Sequence, residues 1–203
     1  MDASRCARAG LGRLVLIGLA VVALQSFELP VRAETTGTPA GEGYWLVAAD
    51  GGVSGYGDAG NYGSAGGTHL AQPIVGMAAS PTGHGYWLVA SDGGVFSYGD
   101  AGYYGSKGGG RHKRQVVSML ATRSGHGYWL VASDGTVAAY GDAGFRNTHA
   151  YSQTIIGMAL TPTGQGAWLA ASDGTVVPRG DAPTYPPSPA GTTSRPMVGI
   201  AGL

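Results

Sequence analysis

The sequence predicts an all-β protein, specifically a four-bladed β-propeller of about 42-residue repeats closed by its own C-terminal strand. Three observations carry that prediction. The first is a recurring stretch, GYWLVASDGGVFSYGDAG from Gly85, with copies GYWLVAADGGVSGYGDAG from Gly43, GYWLVASDGTVAAYGDAG from Gly127 and GAWLAASDGTVVPRGDAP from Gly166. The second is its spacing: Trp45, Trp87, Trp129 and Trp168 stand 42, 42 and 39 residues apart, as do Asp58, Asp100, Asp142 and Asp181. The third is a phase shift at the ends. The strand IVGMA from Ile74 returns as VVSML from Val116, IIGMA from Ile155 and MVGIA from Met197, but no copy precedes Gly43. From Thr38 to the C-terminus the chain holds four whole periods, with the first strand of the first repeat displaced to the far end. A β-solenoid has no reason to end one strand out of phase. A ring does, because Met197–Ala201 would complete the first blade and leave no open edge.

Within one repeat the elements follow from local chemistry. IVGMAAS is a short apolar run ended by the turn signal Pro81-Thr82-Gly83. GYWLVAS is rich in aromatic and β-branched residues and ends at Asp92-Gly93, a hairpin signal because tight turns need positive φ. GVFSY is a third strand, closed by Gly99-Asp100-Ala101, and a weaker fourth is expected at Tyr103–Ser106. Nothing has a helical period, and frequent glycine penalises a helix. Gly76, Gly157 and Gly199, with Ser118, share one position in the first strand, which suits close approach of neighbouring backbones. The fourth repeat departs most: Ala167 replaces tyrosine, Pro178-Arg179 replaces Ser-Tyr, and Pro183, Pro186, Pro187 and Pro189 crowd its outer region.

Residues 1–33 have the form of a secretory signal peptide, leaving 34–203 as the repeat domain. Arg5, Arg8 and Arg13 precede the apolar run Leu14–Ala23, and Val31-Arg32-Ala33 offers a cleavage site. That run is too short to span a bilayer comfortably. The expectation is therefore a secreted protein with no membrane attachment after cleavage. The remainder has no cysteine, and so neither disulfides nor thiolate chemistry. It carries eight basic and ten acidic residues, giving no global attraction to nucleic acid.

Motifs such as GYWLVASDGG, VFSYGDAG and IVGMAASPTGHGYW, covering 38–203, resemble the repeats of secreted bacterial propeller-like proteins. Those proteins occur singly or beside cell-wall or hydrolytic domains. The WD and kelch patterns are matched only distantly. The resemblance implies a secreted all-β repeat domain and brings no catalytic residues with it.

Candidate sites are few. The tryptophans are expected to be core between blades, since Trp87 and Tyr86 lie on opposite faces of a strand covered on both sides. Asp50, Asp92, Asp134 and Asp173 read as turn residues, and Asp58, Asp100, Asp142 and Asp181 as acceptors for nearby backbone N–H groups. A calcium site would need six to eight clustered oxygens, which this spacing does not supply, so no metal or cofactor is expected. His84 and His126 alternate with Glu42 and Gln165, as suits an exposed hairpin tip. The one feature outside the repeat is the connector KGGGRHKR, Lys107–Arg114, whose counterparts Ala65–Gln72 and Ser188–Arg195 are nearly uncharged. Lys107, Arg111, Lys113 and Arg114 are thus candidates to hold an anionic ligand. Tyr62, Tyr104 and Tyr185, recurring after the GDA element as expected rim aromatics, are the next. The function expected is a secreted, non-catalytic binding module for a cell-wall glycan or an extracellular protein. The alternative is a secreted hydrolase or lyase acting at the mouth of the ring.

Overall fold

The computed structural model describes residues 34–38, 41–108, 114–186 and 196–201. The signal-peptide region, Arg111 and Lys113, and the connector from 187 to 195 lie outside them. Among the described residues twelve strands form four separate three-stranded antiparallel sheets. The first holds β1 (Glu34–Gly37), β2 (Tyr44–Val47) and β3 (Val53–Tyr56); the second β4 (Ile74–Ala79), β5 (Gly85–Ala90) and β6 (Val95–Gly99). The third holds β7 (Val116–Ala121), β8 (Gly127–Ala132) and β9 (Val137–Gly141); the fourth β10 (Ile155–Leu160), β11 (Ala167–Ala171) and β12 (Val176–Arg179). Among the described residues no helix is long and apolar enough to cross a membrane.

The repeat is visible in the registers. Val89 pairs Val95 and Trp87 pairs Ser97 in the second sheet, as Val131 pairs Val137 and Trp129 pairs Ala139 in the third. The first strands carry an irregularity at one place, between Ile74 and Gly76, Val116 and Ser118, and Ile155 and Gly157. There the backbones of consecutive sheets come close. A Cβ on Gly76 would meet Val89 at 2.9 Å and the Met119 nitrogen at 3.6 Å, the close approach its small size implies. Every side chain of β5 and β8 is buried, because each of these strands is covered on both faces by its neighbours.

The closed propeller does not form. None of the four sheets is curled or joined into a barrel, and the first and fourth make no contact among the described residues. Closure needs Met197–Ala201 to pair with β2. That edge of β2 is taken by β1, in the register Thr35 to Leu46 and Thr36 to Trp45. Residues 196–201 form no strand. The Met197 N–H instead donates to the Ser172 carbonyl (2.8 Å). The same bond starts each earlier first strand: Ile74 to Ala49, Val116 to Ser91 and Ile155 to Ser133. The segment thus continues outward past the fourth sheet rather than returning to the first.

The fourth strand at Tyr103–Ser106 is also absent. Gly105 sits at φ +128°, and the Tyr104 N–H turns away to the Tyr128 hydroxyl (3.2 Å) of the next sheet. Among the described residues only the third sheet gains an outer partner, a single bridge between Val137 and Asn147.

Candidate functional site

At one end of the second, third and fourth sheets the hairpin tip is locked to the GDA aspartate. The Thr122 hydroxyl donates to Asp142 Oδ1 (2.9 Å) and Ser124 to Asp142 Oδ2, while the His126 N–H donates to Ser124 Oγ (3.1 Å). The second sheet repeats this with Thr82 on Asp100, the fourth with Thr161 and Thr163 on Asp181. These hydroxyls hold the carboxylates of Asp100, Asp142 and Asp181 below the usual carboxylate range, the bonds from Thr82, Ser124 and Thr163 acting most strongly. Serine, histidine and aspartate therefore meet at 124, 126 and 142, but the hydroxyl donates straight to the carboxylate with no imidazole between. A carboxylate so lowered is a poor base. Threonine and Gln165 fill the same places in the fourth sheet, which marks the cluster as a structural lock. The expected partners of these aspartates were backbone N–H groups. The side-chain hydroxyls two and four residues into the tip are what sequence reasoning missed, although Ser80-x-Thr82 and Thr122-x-Ser124 recur in register.

At the opposite end lie the Asp-Gly turns, and here the turn reading holds. Asp50, Asp92, Asp134 and Asp173 each accept, through Oδ1, the N–H two residues on (2.9–3.0 Å). The incoming connector docks on the same turn. Ala65 and Lys107 donate their N–H groups to the Gly51 and Gly93 carbonyls (both 2.9 Å), and the Tyr151 N–H donates to the Asp134 carbonyl (2.8 Å).

The basic connector runs into this end. Arg114 Nε meets Asp134 Oδ2 at 2.7 Å, with the arginine side chain 54% exposed. Arg114 thus ties the connector to the turn of the third sheet and still shows half its surface to solvent. Lys107 is exposed, its Cβ seated against Gly93. Between them opens a cleft of about 410 Å³, bordered by Asp92, Lys107, Arg114, Thr136, Asn147 and Thr148. Its floor includes Val116, Leu130 and Val137. Buried Asn147 fixes one wall, donating from Nδ2 to the Gly135 carbonyl (2.7 Å) and accepting at Oδ1 from the His149 N–H (3.2 Å). Asn147 and Thr148 were not foreseen. The signal was the connector after Asp142, three residues shorter than its counterparts.

The tyrosines divide. Tyr62 and Tyr104 are half-buried wedges between sheets rather than rim aromatics. Their hydroxyls donate to the Gly83 (3.1 Å) and Gly125 (3.0 Å) carbonyls, and their rings lie 6.1 and 5.8 Å from Tyr86 and Tyr128. Burial pushes the Tyr128 phenol up to about 12, which keeps it a neutral hydrogen-bond donor. Tyr185, by contrast, is 67% exposed, its ring 6.0 Å from Trp168.

Among the described residues no three His, Cys, Asp or Glu side chains gather as metal ligands would. The hydrolase alternative placed its site at the mouth of a ring, and the open row of sheets has no such mouth. No protein-family model matches this chain, and no curated protein matches it either.

Proposed function

We propose that this is a secreted, non-catalytic binding module of the kind suggested by its resemblance to secreted bacterial repeat proteins, with an anionic envelope glycan as its ligand. The observation that carries the reading is the cleft beside the basic connector. It offers the cations Lys107 and Arg114 at its rim, and the amide and hydroxyls of Asn147, Thr136 and Thr148 along its walls. Cations with neutral polar groups over an apolar floor suit an acidic sugar better than a bare ion. The repeated aspartates, by contrast, are spent on turns and tips, which leaves little chemistry for a reaction. Secretion rests on the form of residues 1–33.

The test is incubation with insoluble cell-envelope material. Retention that weakens with salt, with no soluble fragments released, is the expected result. Lys107→Gln combined with Arg111→Gln and Lys113→Gln leaves the Arg114–Asp134 pair intact and should reduce retention. Undiminished retention in that variant would remove the connector from the account, and soluble products would favour the hydrolase or lyase reading.

A further inference from the structure

The same apolar trio recurs where each sheet meets the one before it, and at one of these junctions a cleft opens over it. The trio is Ile74, Leu88 and Ala90 where the second sheet meets the first, and Ile155, Leu169 and Ala171 where the fourth meets the third. Between the second and third sheets it is Val116, Leu130 and Ala132, again buried. A ring covers the first and last of these. Phe96, opposite Leu88 on β6, packs on the cluster that holds the first trio. Tyr151, from the connector, packs on the cluster that holds the last, its ring filling the place of a Cβ on Gly135.

At the middle junction the residue opposite Leu130 is Ala138. A methyl group stands there in place of a phenyl ring, and the trio becomes the floor of the 410 Å³ cleft. The cleft is therefore a departure from the repeat rather than a gap common to it. Its volume lies toward the small end of the range for ligand pockets, about 300–1,000 Å³, which suits a short stretch of glycan.

Floor and rim make different demands on that ligand. The floor, completed by Val137, is aliphatic and branched. It has no flat ring on which a sugar face could stack, but it forms a socket for a methyl or short acyl group. At the rim, Lys107 and Arg114 are offset by Asp92 and by Asp134, which holds Arg114 through Nε. Two cations against two carboxylates leave no excess to gather a multiply charged phosphate polymer. The guanidinium so held presents its Nη pair, a planar fork that fits a single carboxylate. The Thr136 hydroxyl donates to Asp134 Oδ1 (2.8 Å), so its oxygen is left to accept from a sugar hydroxyl or acylamino N–H.

We propose that the cleft is specific for an acidic sugar carrying an acyl substituent. The acyl group seats on Val116, Leu130 and Ala132, and the carboxylate is forked by Arg114. This inference rests on the glycan reading above and narrows it, since an acidic sugar without the acyl group leaves the floor unfilled.

The test measures binding of the full chain to two soluble probes of equal charge, an acetylated oligogalacturonate and the same oligosaccharide after mild-alkali deacetylation. The acetylated probe should bind more tightly by about tenfold or more, as one small apolar group does in a fitted pocket. Ala138→Phe installs the residue that the preceding repeat holds there and should erase that preference. Arg114→Lys keeps the charge without the fork, and should weaken both probes alike. Equal affinity of the wild type for the two probes, or a preference that Ala138→Phe leaves unchanged, would overturn the proposal. So would binding of neither probe, or of anionic phospholipid vesicles instead, by a chain still retained on envelope material. Loss of that retention as well would fail the glycan reading itself. The wild-type comparison needs no variant and stands even if Ala138→Phe misfolds.

Discussion

Trp87 holds two sheets together and anchors a connector at once. Its ring packs against Tyr128 of the next sheet, and its Nε1–H bonds the Gly102 carbonyl (2.6 Å). Trp87→Ala should therefore lower unfolding stability by about 3–5 kcal/mol, read as a shift in the denaturant midpoint. Trp168→Ala should cost distinctly less, because that ring is only half-buried. Gly99 makes the sharpest backbone demand. It sits at φ +67°, and a Cβ there would lie 2.1 Å from the His84 carbonyl oxygen. Gly99→Ala should destabilise by about 1–3 kcal/mol from backbone strain alone, and more if the tip cannot shift. Much at this scale was legible in the sequence: the burial of Trp45, Trp87 and Trp129, the turn aspartates and the exposed tip histidines each follow from local pattern, whereas Trp168, expected in the core like the others, is only half-buried. The wedge role of Tyr62 and Tyr104 was not. It depends on Gly63 and Gly105 making room for Tyr98 and Tyr140, contacts between segments about 35 residues apart that no local periodicity announces.

The second, third and fourth sheets are each pinned at the tip by the GDA carboxylate, and that pin is sensitive to acid. The carboxylates of Asp100, Asp142 and Asp181 lie lower in the folded chain than in the unfolded one. Their stabilisation is thus fully present at neutral pH and is lost as pH falls through those depressed folded values. Asp142→Asn should lower the urea midpoint at pH 7 modestly, and the gap from wild type should close in acid. A gap that stays constant from pH 7 into acid would show that the Thr122 and Ser124 bonds do not depend on the charge. The three strands of the second, third and fourth sheets were legible from β-branched runs and Asp-Gly turns, but β1 was not, because ETTG carries no apolar run. The fourth strand was not, because a stretch such as Tyr103–Ser106 has strand-like residues but spends its polar groups on the next sheet.

Four similar repeats fix what the unit is but leave open the angle between units, and closure depends on that angle accumulated over the whole row. Here the sheets stack in order, each against the next, and the two end faces are left apart. The displaced copy of the first strand, which suggested a ring, instead extends the row beyond the fourth sheet, while β1 fills the vacant edge of β2. The most direct measurement of this arrangement is disulfide formation within single chains at high dilution, in the Cys6→Ser background. Thr35→Cys with Leu46→Cys should close an intrachain disulfide, because β1 and β2 place these residues opposite one another. Leu46→Cys with Ile200→Cys should not. An intrachain disulfide between 46 and 200, with none between 35 and 46, would contradict the open row.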